Sequence, residues 1–129
     1  MIAQTSQLIV AREDHRALVQ QIEKNKFSYD GTASKLLQLE DAEVLDEAAF
    51  PWEVVRLNTK VIIRDKLARL NYTYIVVLPE FADHRKCKVS VFSPIGSALF
   101  GYRRGDDTYW LTPKGKRYFT IMAVSQHNY

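Results

Sequence analysis

Five acids crowd into eight residues near the middle of the chain: Glu40, Asp41, Glu43, Asp46 and Glu47. Carboxylates at that density suit a hard cation such as Mg²⁺. They would need a frame that fixes their spacing, and none is visible, so a solvated helix end is the better reading. His15, His84 and His127 are scattered, and no His or Cys pair has metal-ligand spacing. Cys87 lies between Lys86 and Lys88, a basic setting for a thiol, but no partner base is evident. Ser93 lacks the Gly-x-Ser-x-Gly setting of a hydrolase nucleophile. Lys114, Lys116 and Arg117, with Tyr118 and Phe119, mix cations and rings as single-strand binders do. In a strand, however, such rings are more often core or cross-strand partners. Arg103-Arg104 reads as an exposed basic pair, and Trp52 and Trp110 read as core anchors. No catalytic set, metal site or cofactor is called for, and the chain is not expected to be an enzyme.

The totals set the frame for these residues. The chain has 129 residues, 47% of them hydrophobic, enough for a packed core. Residues 1–50 carry five basic and nine acidic side chains, net −4, whereas residues 51–129 carry thirteen basic and six acidic, net +7. Such asymmetry marks two parts with different faces to present, and the basic part suits an acidic protein surface or a nucleic acid. No run approaches the roughly 18 apolar residues of a membrane span, and the first residues lack the features of a signal peptide. One cysteine, Cys87, excludes an internal disulfide. A cytoplasmic monomer with no membrane contact is expected.

The composition changes at Phe50-Pro51-Trp52. Pro51 confines Phe50 to extended conformations, so a helix must end before it, and the domain boundary is placed there: a helical part over 1–50 and a sheet part over 51–129. Leu8-Ile9-Val10 reads as an extended lead-in. From Glu13, Ala17, Leu18, Val19 and Ile22 recur at helical spacing, with an end near Asn25-Lys26. Asp30-Gly31 is a turn signal. Thr32 or Ser34 suits the cap of a second helix with a stripe through Leu36, Leu37 or Leu39 and Val44. Two such helices make a short antiparallel hairpin with Phe27, Ser28, Tyr29 and Asp30 at its tip.

The second part reads as strands at 54–57, 60–64, 72–78, 88–92, 109–111 and 117–124, of which about five make an antiparallel sheet. Between two of them stands a short helix with its punctuation visible. Ser93 suits the N-cap, Pro94 the first helical position and Gly101 the left-handed residue past the end. Ile95, Ala98 and Leu99 are its buried face. The fold class is α+β.

From Val89 to Gly101 the chain reads Val-Ser-Val-Phe-Ser-Pro-Ile-Gly-Ser-Ala-Leu-Phe-Gly, followed by Gly105-Asp106 and Trp110. This resembles the C-terminal domain of the GreA/GreB transcription elongation factors, and within them the Rnk-like branch. Val55–Val61, Val77-Leu78-Pro79 with Ala82-Asp83, and Pro113–Lys116 resemble the same family in order and spacing. The resemblance covers residues 52–125 well and 8–50 more loosely. It implies an FKBP-like sheet domain carrying a coiled-coil-like hairpin, and a partner, RNA polymerase, bound at the rim of its secondary channel. Carried over by position, it names Ser93, Pro94, Ile95 and Gly96 as polymerase-binding residues, joined by the basic Arg103 and Arg104. Phe92 stands where Gre factors usually have Asp or Asn, which favours the Rnk-like branch.

The resemblance also bears on activity. Cleavage-stimulating Gre factors bring adjacent acids to the polymerase active site on a long hairpin. Here the tip from Lys26 to Gly31 holds one acid, Asp30, and the helices are short. Transcript cleavage is therefore not expected, whereas competition with Gre factors is. Two alternatives stand beside this reading. One is a nucleic-acid-binding module, with direct DNA binding not favoured. The other is an FKBP-like prolyl isomerase, for which no aromatic pocket signature is evident.

Overall fold

The structure is a computed structural model and describes residues 8–24 and 42–126. The chain divides into two compact units, Met1–Phe50 and Pro51–Tyr129.

In the first unit, strand β1 (Ile9–Ala11) runs directly into helix α1 (Arg12–Lys24). Glu13 and Asp14 occupy the first turn and Lys24 the last, the placement that suits the helix dipole. Leu18 and Ile22 are buried, as their spacing predicts. Asp14, one turn earlier on the same stripe, is buried too. Strand β2 (Glu43–Leu45) pairs with β1 in parallel, Val10 opposite Val44. This corrects the expectation that Val44 closes the stripe of a second helix. A β-branched residue beside Val10 gains from pairing, but only the connection through α1 brings the two strands together, and local periodicity carries no trace of it. The rest of the expected second helix, and the tip residues Phe27, Ser28, Tyr29 and Asp30, lie outside the described residues. Of the acidic run, Asp46 takes Arg12 Nε at 2.6 Å on an exposed surface.

The second unit is an α+β fold. Its five strands stand in the order β5-β4-β3-β7-β6: β3 (Thr59–Asp65), β4 (Asn71–Val77), β5 (Lys88–Ser90), β6 (Asp107–Thr112) and β7 (Gly115–Gln126). β3 is central, antiparallel to β4 and β7, and β6 is antiparallel to β7. β5 is parallel to β4, so the sheet is mixed rather than wholly antiparallel. Pro79 ends the β4 segment, and two short 3₁₀ turns carry the chain back before Cys87, at φ 61°, turns into β5. Alternation along β3 sends Thr59, Val61, Ile63 and Asp65 to one face. There they meet Val76, Phe119 and Ile121 in a core that Val91, Leu99 and Phe100 complete. A bulge in β7 sets Ile62 opposite Ala123 but Ile63 opposite Ile121.

The strand expected at 54–57 is not part of the sheet. Val54 and Val55 are buried, but Val55 donates to Tyr102 O at 2.8 Å and accepts from Gly101 N at 2.9 Å. Asn58, at φ 63°, then turns the chain into β3. This short stretch therefore tethers the segment after the second helix, α2 (Pro94–Leu99), instead of extending a ladder.

Candidate functional site

The junction between β5 and α2, Val91-Phe92-Ser93, is held largely by the hydroxyls of Ser90, Ser93 and Ser97. Val91 N donates to Val77 O at 2.8 Å, holding this segment to β4. Ser90 Oγ then accepts from Phe92 N at 3.0 Å. Ser90 O accepts twice from Ser93, from its amide at 3.0 Å and its hydroxyl at 2.6 Å. The same Ser93 hydroxyl accepts from Gly96 N at 3.1 Å, the N-cap bond that its position predicts. Ser97 Oγ donates back to Val91 O at 3.1 Å. Pro94 fills the first helical position, and Gly101 has the left-handed φ, 85°, expected past the end.

Gly96 is fixed by space. A Cβ there would lie 1.9 Å from Ser90 O, far inside contact distance. Only glycine lets the first turn of α2 settle against the end of β5. Among the four loop residues, Pro94 is exposed, Ser93 half-buried, and Ile95 and Gly96 are buried, Ile95 at 6% exposure. Pro94 and Ser93 are thus what the loop offers to a partner, while Ile95 and Gly96 hold its shape from beneath.

Arg103 and Arg104 follow the other end of α2 and are exposed, as the sequence leads one to expect. The structure does not gather them with Ser93: the two groups stand at opposite ends of the helix, roughly 9 Å long at 1.5 Å per residue. Arg103 N donates to Asp106 Oδ2 at 2.8 Å, and the Arg103 backbone bridges to Val54. Arg104 places its guanidinium 5.4 Å from the centre of the Trp52 ring and 3.7 Å from Glu53 Oε1. Trp52 is 58% exposed, so it is a platform for Arg104 and not the core anchor expected. Its neighbours Val54 and Val55 take the interior instead.

Among the described residues, no group of His, Cys, Asp and Glu has a metal-binding arrangement. Cys87 is exposed. No helix among them is long and apolar enough to cross a membrane.

Sequence reasoning missed a cleft of about 390 Å³ on the core-bearing face, beyond the packed centre. Tyr72, Tyr74, Trp110 and Phe119 wall it, with the Asp65–Arg117 ion pair and Lys114 alongside. Strand alternation gives each ring its face, but the rings come from three strands and only the register joins them. Asp65 accepts from Ala68 N at 2.8 Å and Leu67 N at 2.9 Å. The Ala68 amide first, and then the Arg117 guanidinium and Leu67 amide, hold its carboxyl below the usual range. Burial, with lesser contributions from Tyr72 and Cys87, pushes the Tyr74 hydroxyl above its ordinary value.

With this geometry in place, comparison with known proteins is decisive. The family description "Transcription elongation factor, GreA/GreB, C-term" matches residues 51–126. The chain belongs to the GreA/GreB family. It is 32% identical over 99 residues to a transcription elongation factor GreA of Clostridium beijerinckii, a match covering 74% of this chain and 62% of that one. A GreA of Hyphomonas neptunium is 34% identical over 103 residues, covering 78% of this chain and 66% of the relative. The match thus spans a little under two thirds of these relatives' length. A solved structure titled prokaryotic transcription elongation factor GreA/GreB, from Nitrosomonas europaea, is similar almost end to end. Its TM-score is 0.82 at 28% identity, over 94% of this chain and 99% of that one.

Proposed function

We propose that this protein binds bacterial RNA polymerase at the rim of the secondary channel and modulates transcription there without stimulating transcript cleavage, as a Rnk-like member of the family. The observation that carries the reading is the loop at Ser93–Gly96. Its capping serine, exposed proline and space-forced glycine form a hydrogen-bonded turn with Pro94 outermost, in the very segment that resembles the family's docking loop. Arg103 and Arg104 extend the docking surface along α2 toward acidic groups of the partner. The single acid between Lys26 and Gly31 leaves the tip without the paired carboxylates that would hold a second Mg²⁺. Occupying the channel entrance, the protein excludes Gre factors with longer hairpins. It acts as a monomer in the cytoplasm and requires no cofactor of its own.

The test is binding to purified core polymerase by biolayer interferometry, comparing the parent with Pro94→Glu. Pro94 is exposed, so the change alters the projection and spares the core. A loss of affinity of tenfold or more is expected. Unchanged affinity in a folded variant overturns the docking assignment.

The aromatic cleft supports a second reading, an FKBP-like prolyl isomerase. Ring-walled clefts of this size hold small apolar groups, although fold likeness does not establish an activity. Acceleration of cis–trans exchange in an Xaa-Pro tetrapeptide, lost in Trp110→Leu, would favour it. An exchange rate equal to that in buffer would end it.

A further inference from the structure

The sheet face opposite the core carries a feature that polymerase docking does not use. Tyr109 on β6 and Tyr118 on β7 are directly paired, with ring centres 5.6 Å apart and planes 46° apart. They are 45% and 52% exposed. Leu111, 62% exposed, lies one step along the same face opposite Lys116. Lys116 Nζ sits 4.6 Å from the centre of the Tyr109 ring. Lys66 N donates to Tyr118 O at 3.0 Å and so borders the rings; Arg64, paired with Thr120 on the same face, is one strand further and rests its exposed guanidinium on Asn71 Oδ1 at 3.0 Å. Asp107 is the acid on this part of β6, and Lys66 Nζ at 2.9 Å and the Thr120 hydroxyl at 2.6 Å already engage it.

The two half-exposed tyrosines, with Leu111 beside them, form a contiguous exposed patch of the kind that marks an interaction site, and rings favour a flat partner. The partner must tolerate cations at every edge. Lys116 lies against the pair, Lys66 beside it offsets Asp107, Arg64 stands within reach on the same face, and the part of the chain beyond residue 50 carries net +7. A polyanion with exposed π-faces meets both demands. Nucleic-acid bases do so only when unpaired, because a duplex hides its faces in the stack. We propose that the Tyr109–Tyr118 face binds single-stranded nucleic acid, two successive bases stacking on the rings while Arg64, Lys66 and Lys116 meet the phosphates. This function rests on a different face from the Ser93 loop and stands or falls without it.

The experiment is fluorescence anisotropy of the full chain with labelled twelve-nucleotide U-RNA and T-DNA, and with a duplex of equal length. Single strands are expected to bind more tightly than the duplex, and the two single strands show whether RNA or DNA is preferred. Tyr109→Ala/Tyr118→Ala, both at exposed positions, is expected to weaken binding by roughly 30-fold or more, since two stacked bases are lost. The affinity should fall with salt with a log–log slope near 2, about 0.7 per phosphate neutralised. Lys116→Gln should reduce that slope by about 0.7. Three results overturn the proposal: no binding at tens of micromolar in low salt, binding indifferent to the tyrosine pair, or tighter binding to duplex. A dimer in sedimentation that the double substitution dissolves also overturns it, since the face would then be an interface between copies.

Discussion

Gly96→Ala sets two physical effects against each other at one position. In an exposed helix the change gains about 1 kcal/mol of helical propensity. Here the new methyl would lie 1.9 Å from Ser90 O, 2.8 Å from Ser90 C and 3.0 Å from Ser93 Oγ. The nearest atoms are backbone, and that backbone is held: Ser90 pairs with Val77, and its carbonyl accepts both the Ser93 amide and hydroxyl. Relieving the clash means moving the end of β5 or the first turn of α2. Overpacking of this kind costs about 1–3 kcal/mol. Two hydrogen bonds strained or lost add about 1 kcal/mol each. Set against the propensity gain, the net is a destabilisation of about 2–4 kcal/mol, roughly 10–30 °C in Tm for a unit of this size. Urea denaturation followed by circular dichroism reads it directly. Gly105→Ala is the control: Gly105 sits at φ 95° with nothing within 4 Å of its Cβ position. Only backbone strain applies there, at about 1 kcal/mol. If Gly96→Ala cost no more than Gly105→Ala, the close approach of α2 to β5 would be refuted, and with it the account of the loop's rigidity.

Further predictions concern the cap, the buried carboxylate and the exposed ring. Ser93→Ala removes the acceptor for Gly96 N and the donor to Ser90 O, and is expected to cost about 1–2 kcal/mol in urea denaturation. Asp65 has a folded-state pKa held below its ordinary 3.8, so its contribution is present above that value and is lost as pH falls through the lower folded one. Stability should therefore drop between roughly pH 5 and pH 2. Asp65→Asn, less stable at neutral pH, should show a smaller drop over the same window; equal drops would show that Asp65 does not drive it. Trp52→Ala should change stability by under about 1 kcal/mol, because the ring is exposed and its main partner is a surface guanidinium. A loss near that of a core tryptophan would mean that the ring is buried in solution.

What could be read from the sequence was local. The short helix announced itself because Ser93, Pro94 and Gly101 each satisfy a need of the adjacent backbone, and the structure places each accordingly. The β6–β7 hairpin was legible for the same reason: Thr112 and Gly115 close its turn, with Thr112 Oγ1 donating to Gly115 O at 2.8 Å. What failed depended on partners far along the chain. Val44 stands at helical spacing from Leu36 and Leu37 in sequence, but its neighbour in space is Val10 of a parallel strand. Val54–Leu57 has a strand's composition, yet Val55 bonds the segment after α2 while Val54 N and Arg56 N bond locally, to Pro51 O and Thr59 Oγ1. Trp52 is apolar by type, but two buried valines next to it leave it outside. Tyr72, Tyr74, Trp110 and Phe119 form one cleft wall only through the β3–β4, β3–β7 and β6–β7 registers. The family likeness found the loop, while burial shows that only half of it faces outward.

The most direct test of the central claim is a competition on stalled, backtracked transcription complexes, with GreA held at a constant cleavage-stimulating concentration and this protein titrated in. The account predicts no RNA cleavage above background from this protein alone, and suppression of GreA-stimulated cleavage as it is added, with Pro94→Glu suppressing poorly. Cleavage by this protein itself, or GreA activity untouched at saturating concentrations, would contradict it.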